Sequence, residues 1–281
     1  MWSGRSSGIS KGIRKKGYNQ AVILKSTGLE VFPLMIEEQE QEQIQESMSI
    51  WDHLNELRSR LFKAVIGLMV ATAISFIISQ QLVTWMAVPI GGLQNLVSIE
   101  VTENIGVFMR VSLLAGFILS LPFILYQILA FIMPGLTDVE RRWLLISIPL
   151  ASVFFVAGVA FAYYVMLPAA LPFLVSFLGV RTTPRLSNYF DFTLNLMFWI
   201  GLSFELPLVI FILAKLKIVN AKMLAHQWRI ALVVIAVIAA VATPTPDPIN
   251  MSILMAPLFA LYALSIFFAF IARRGESKDQ G

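Results

Sequence analysis

Phe192-Thr193-Leu194-Asn195-Leu196-Met197-Phe198-Trp199-Ile200-Gly201-Leu202-Ser203-Phe204-Glu205-Leu206-Pro207-Leu208-Val209-Ile210-Phe211-Ile212-Leu213 is the stretch whose reading decides the fold. About 20 predominantly apolar residues suffice for a helix to cross the ~30 Å hydrocarbon core of a bilayer. A single carboxylate, Glu205, interrupts the run. Near the middle of a membrane helix an ionised carboxylate costs a few kcal/mol. Pro207 lacks the N–H that would satisfy the carbonyl one turn back, so something else must satisfy it. Two such costs so close together imply that this part of the helix faces protein or a wet cavity, not lipid. Two readings of Glu205 stay open at this point. One is a protonated carboxyl bonded to a neighbouring helix for structure alone; the other is a functional intramembrane group.

Composition agrees with a membrane solvent. Of 281 residues, 58% are hydrophobic and 14% charged, against roughly 25% charged in soluble domains. With no cysteine and only His53 and His226, disulfides, thiolate metal sites and cysteine nucleophiles are excluded. Little is left for a metal centre or a Ser-His pair, so no catalytic residue, metal site or cofactor is expected. The formal net charge of +4 is too modest to argue for nucleic acid.

Working outward, five further apolar segments accompany the first: 64–78, 111–132 with Pro122 inside it, 143–167, the short 230–242, and 251–272. The expected class is an all-α integral membrane protein with six transmembrane helices, the last two forming a hairpin through 243–250. Its orientation follows from Lys and Arg, which concentrate in cytoplasmic loops. None lies between Ala64 and Val107, and of the 21 only Arg110, Arg181 and Arg185 fall on the opposite face from the rest. Both termini are therefore expected in the cytoplasm. The loop with Glu100 and Glu103 is expected outside.

Residues 1–47 differ in character from the rest of the chain. They are basic and acid-poor up to Glu30, then low-complexity Glu/Gln at 37–46, and are expected to be a disordered N-terminal extension. An organelle transit peptide and a true start at Met48 are the other readings. From Ser49 the apolar residues Ile50, Leu54, Leu57 and Leu61 recur at helical spacing, with Ser49 and Asp52 as a capping signal. On the cytoplasmic side lie Glu56 and Glu140, acids in segments otherwise biased to Lys and Arg. They are candidate receptors for a cationic peptide, because a carboxylate can take an Arg fork bidentately. Equally open is that Glu56 pairs with Arg60 while Glu140 offsets Arg141 and Arg142.

His53-Leu54-Asn55-Glu56-Leu57-Arg58 resembles a signature of the TatC family of the twin-arginine (Sec-independent) protein translocase. Tyr126-Gln127, the run Ala130-Phe131-Ile132-Met133-Pro134-Gly135-Leu136 and Glu140-Arg141-Arg142 are similar to that family's first cytoplasmic loop. Phe161-Ala162-Tyr163, Leu167-Pro168, Phe204-Glu205-Leu206-Pro207 and Pro246-Asp247 come after them in the same order. The similarity covers about 48–272, leaving 1–47 as an extension and 273–281 as a cytoplasmic tail. The spacing Pro244-Thr245-Pro246-Asp247 departs from relatives with adjacent prolines, which bears on the detailed role of Asp247.

The resemblance implies a cupped six-helix bundle in the cell inner (plasma) membrane, with a thylakoid or other organelle membrane as the alternative. It also implies a receptor for the twin-arginine signal peptides of folded precursors, working with TatA- and TatB-like single-helix proteins. Transport would be driven by the protonmotive force, with self-association in the complex and contact with membrane lipids. Carried over residue by residue, Glu56 and Glu140 contact the twin arginines, and Leu57 and Arg58 support that surface. Glu205 is the intramembrane polar residue for partner contact, and Asp247 the acid on the outer side. The rival reading of the residues is a proton-coupled secondary transporter with Glu205 as its proton carrier. An intramembrane enzyme would need groups this chain does not supply.

Overall fold

The computed structural model describes residues 31–176, 183–242 and 248–274. The chain divides into two compact units, Met1–Ser59 and Arg60–Gly281. Helix α1 is Val31–Ser75. It therefore begins inside the segment expected to be disordered, and Ser49 is an interior position, not a cap. The reason lies in composition. Glu and Gln have helix propensities close to that of Leu, and the only breaker, Pro33, falls in the first turn where proline is tolerated.

The expected straight helix to residue 78 stops at Ser75. There the Ser75 hydroxyl donates to the Ala71 carbonyl at 2.8 Å, and Ile77 and Ile78 N–H groups switch to carbonyls three residues back. Helix α2, Ser79–Met86, restarts with the Ser79 hydroxyl on the Ser75 carbonyl at 2.7 Å. Hydroxyls that compete for helix carbonyls bend helices. Here Trp51–Ser75 and Ser79–Ile90 are bent by 76°. Gly91 and Gly92 come next with φ of 90° and 103°, a left-handed pair that turns the chain back toward helix α3.

Helix α3 is Glu103–Ile132. Helix α4, Asp138–Phe161, passes through a wide π turn at Ala162–Met166 into α5, Leu167–Ser176. Pro168 has no N–H for the preceding turn, which is where such a turn relaxes the ladder. Helix α6 is Leu186–Phe204 and α7 is Leu206–Lys215; Glu205 alone separates them, with Pro207 in the first turn of α7. The stretch read as one continuous helix thus has a one-residue break at its acid. Short α8, Ala221–His226, leads to α9, Trp228–Ala242, and α10, Pro248–Arg274, packs on α7 and α9.

Among the described residues, four helices are long and apolar enough to cross a membrane: Glu103–Ile132, Asp138–Pro172, Leu186–Lys215 and Met251–Ala272. Counted as one span, the bent pair of α1 and α2 would make a fifth. The expected sixth, α9, has 15 residues and reaches about 22 Å, short of a full crossing. Within the four spans only 28% to 44% of the apolar window is buried, so most of their apolar surface points outward. Lipid is the solvent that tolerates this. The chain is an all-α integral membrane protein that crosses its membrane several times.

Helix α6 is the axis of the core. It packs on α3 and α4 around Phe155, Phe190 and Ile200, all fully buried. The approach to α4 depends on two glycines. A Cβ on Gly158 would lie 2.8 Å from the Cα of Gly201, and one on Gly201 would lie 2.9 Å from the Phe155 ring. Small residues let membrane helices come this close, where packing replaces the missing hydrophobic drive.

Candidate functional site

Glu140 lies at the start of α4, where it forms a capping box with Thr137. The Thr137 backbone N–H and hydroxyl both donate to Glu140 Oε2, at 2.9 and 2.7 Å. Beside the two readings from sequence the acid thus has a local role, because it closes the helix start. It also lines a cavity of about 590 Å³ together with Trp143, Phe211, Lys215, Lys217 and Ile271. Trp143 is one turn along α4 from Glu140. The Lys215 ammonium lies 5.3 Å from its ring centroid, and Phe211 meets the ring edge-on at 6.2 Å. Lys217 takes a left-handed backbone, φ 63°, at the end of α7, where its N–H reaches the Ala214 carbonyl. The cavity is thus one acid facing two lysines, which charge counting along the sequence does not show.

Glu56, Leu57 and Arg58 lie on α1 in the first compact unit. Leu57 is exposed, and so are Trp51, Leu54 and Leu61, so the apolar ridge read from the spacing is uncovered. Glu205 is 8% exposed, and its Oε1 has no hydrogen-bond partner among the described residues. A buried polar group left unpaired is costly, which marks this position as unusual for a purely structural acid. Asp247 lies outside the described residues.

The segment before α3 leads into a carboxylate that sequence reasoning named only for its place in that loop. Glu103, with a side chain only 2% exposed, accepts from Ser187 N–H at 2.6 Å and Arg185 Nε at 3.2 Å through Oε1. Through Oε2 it accepts from Ile99 N–H at 2.9 Å and Glu100 N–H at 3.3 Å. Arg185 also reaches Glu100 at 2.7 Å. Beside it Val97 pairs with the start of α6, donating to the Pro184 carbonyl at 3.1 Å and accepting from Leu186 N–H at 2.9 Å. An acid in the first turn of a helix was the available signal. Deeper along the same helices Arg110 pairs with Asp191, at the edge of a groove of about 350 Å³ that Asn195 and Phe198 help to line.

Residues 52–257 match the family model of the Sec-independent protein translocase protein, TatC. The chain belongs to the TatC family. It is 40% identical over 243 residues to the Sec-independent protein translocase protein TatC of Deinococcus radiodurans, covering 83% of this chain and 90% of that one. The corresponding protein of Synechocystis is 39% identical over 218 residues, 76% of this chain and 85% of its own. The chloroplastic protein of Pisum sativum is 40% identical over 219 residues, 76% of this chain and 62% of that one. A crystal structure described as the twin arginine translocase receptor TatC superposes with a TM-score of 0.69 at 32% identity, covering 79% of this chain and 99% of that one. As a TatC-family member the chain is a component of the Sec-independent, twin-arginine protein translocase. It is a multi-pass membrane protein of protein transport. The secondary-transporter reading is not favoured.

Proposed function

We propose that this TatC-family chain is the receptor that reads twin-arginine signal peptides at the cytoplasmic face. Glu56 and Glu140 accept the two arginines, and Leu57 and Arg58 shape the surface around them. The observation that carries the reading is Glu140, a carboxylate fixed at the rim of a cavity large enough for side chains. Its Oε2 is already bonded to Thr137, so Oε1 is the oxygen a guanidinium can take. At a lipid–water boundary such an ion pair gains more than in bulk water. A folded cargo cannot be read by threading, so an exposed peptide is what a receptor of this kind can bind.

The proposal extends to the complex. The receptor recruits TatA- and TatB-like single-helix partners, contacts membrane lipids and further copies of itself, and draws on the protonmotive force. It carries no catalytic site. With the short α9 taken as a sixth span where the bilayer thins around it, both termini lie in the cytoplasm of a cell inner membrane, with 48–272 as the transmembrane domain and 273–281 as its tail. Glu205 supplies a polar face for partner contact within the membrane, and Asp247 an acid at the outer turn. Photo-crosslinking from positions 56 and 140 in membranes tests the receptor. Adducts with a twin-arginine signal peptide, lost with a twin-lysine one, are expected; adducts from neither position would refute it.

A further inference from the structure

The cavity beside Glu140 holds a cation already. Lys215 lies on the face of Trp143 at 5.3 Å, while Phe211 fixes the ring edge-on and is itself backed by Phe268 at 6.4 Å. A ring held on its edge presents one rigid π face to the cavity. Glu140 and Trp143 are three residues apart on α4, so acid and ring share one helix face. We propose that Trp143 is the arginine-selective subsite of the signal-peptide cavity and that Lys215 is its resident placeholder, displaced when a guanidinium stacks on the ring and reaches Glu140. The proposal rests on the receptor reading above and adds to it a source of Arg-over-Lys preference.

The chemistry favours exchange in that direction. A guanidinium is planar and weakly hydrated; it can stack on an aromatic face while its fork donates to a carboxylate. An ammonium is compact and strongly hydrated, and can do only one of these well. The charges explain why a placeholder matters. With Lys215 and Lys217 both lining the cavity, an incoming cation meets two positive charges and one negative. Moving Lys215 off the ring removes one of these repulsions from the point of contact. Lys215 thus sets how tightly the cavity binds, and Trp143 sets which cation it prefers.

The test uses the full-length protein in lipid nanodiscs with fluorescent signal peptides carrying twin arginine or twin lysine. Lys215→Met keeps the apolar stem and is expected to tighten twin-arginine binding by about two- to five-fold, the scale of an exposed cation–π contact. Trp143→Leu is expected to weaken twin-arginine binding while changing twin-lysine binding little, so the preference shrinks. Trp143→Phe, which keeps a smaller π face, should fall between. In the Trp143→Leu background Lys215→Met should give a smaller gain, that of relieved charge repulsion alone, because the ring it vacates is gone. Equal loss for both peptides in Trp143→Leu, or no gain from Lys215→Met, overturns the subsite while Glu140→Gln still weakens binding. If Glu140→Gln leaves binding unchanged, the receptor reading fails and the subsite with it.

Discussion

At the scale of single residues, Glu140 has two roles that substitution can separate. Gln serves in a capping box as Glu does, so Glu140→Gln should leave thermal unfolding of the purified protein unchanged while weakening capture of a twin-arginine peptide. Glu140→Ala should lower both, because the Thr137 N–H and hydroxyl lose their acceptor. Glu103 is the opposite case, since its two oxygens are saturated by donors. Glu103→Gln would turn an NH2 toward N–H groups, and faster proteolysis of the segments before α3 and α6 is the expected result. For Glu205, whose Oε1 lacks a partner among the described residues, Glu205→Gln should unfold no earlier than the parent yet alter partner crosslinking or transport. Parental transport in Glu205→Gln would leave Glu205 with a structural role only.

At the scale of elements, the Gly158–Gly201 crossing is a close approach of α4 to α6 that leaves no room for a Cβ. Gly158→Ala should destabilise the protein by about 1–3 kcal/mol, the usual penalty of overpacking a core. Gly106 in α3 is a control, since a Cβ there meets nothing within 4 Å; Gly106→Ala should be neutral or gain about 0.4–1 kcal/mol. Thermal unfolding of both variants in one detergent would decide. The long apolar runs were legible because lipid selects them by length and composition alone. The break at Glu205 was half legible, through Pro207. The 76° bend after Ser75 was not, because it depends on which carbonyl each serine hydroxyl chooses. In 31–47 polar repetition and helix propensity point in opposite directions, so the sequence alone does not decide that stretch. Glu140 was found through its place in a motif, but the lysine over Trp143 joins residues far apart in sequence, and no local pattern announces it.

At the scale of the whole molecule, orientation is the property with the plainest test. The chain has no cysteine, so single cysteines report without background. Cysteine at Ser98 or Asn188 should be labelled by an impermeant reagent added to intact cells, and cysteine at Gln227 only after lysis; the reverse pattern would invert the proposed topology. Glu103, Arg185 and Val97 tie the start of α3, the start of α6 and the loop after α2 into one knot. Rods laced together at one rim can spread only at the other. Any motion that parts the starts of α3 and α6 must therefore first break these bonds.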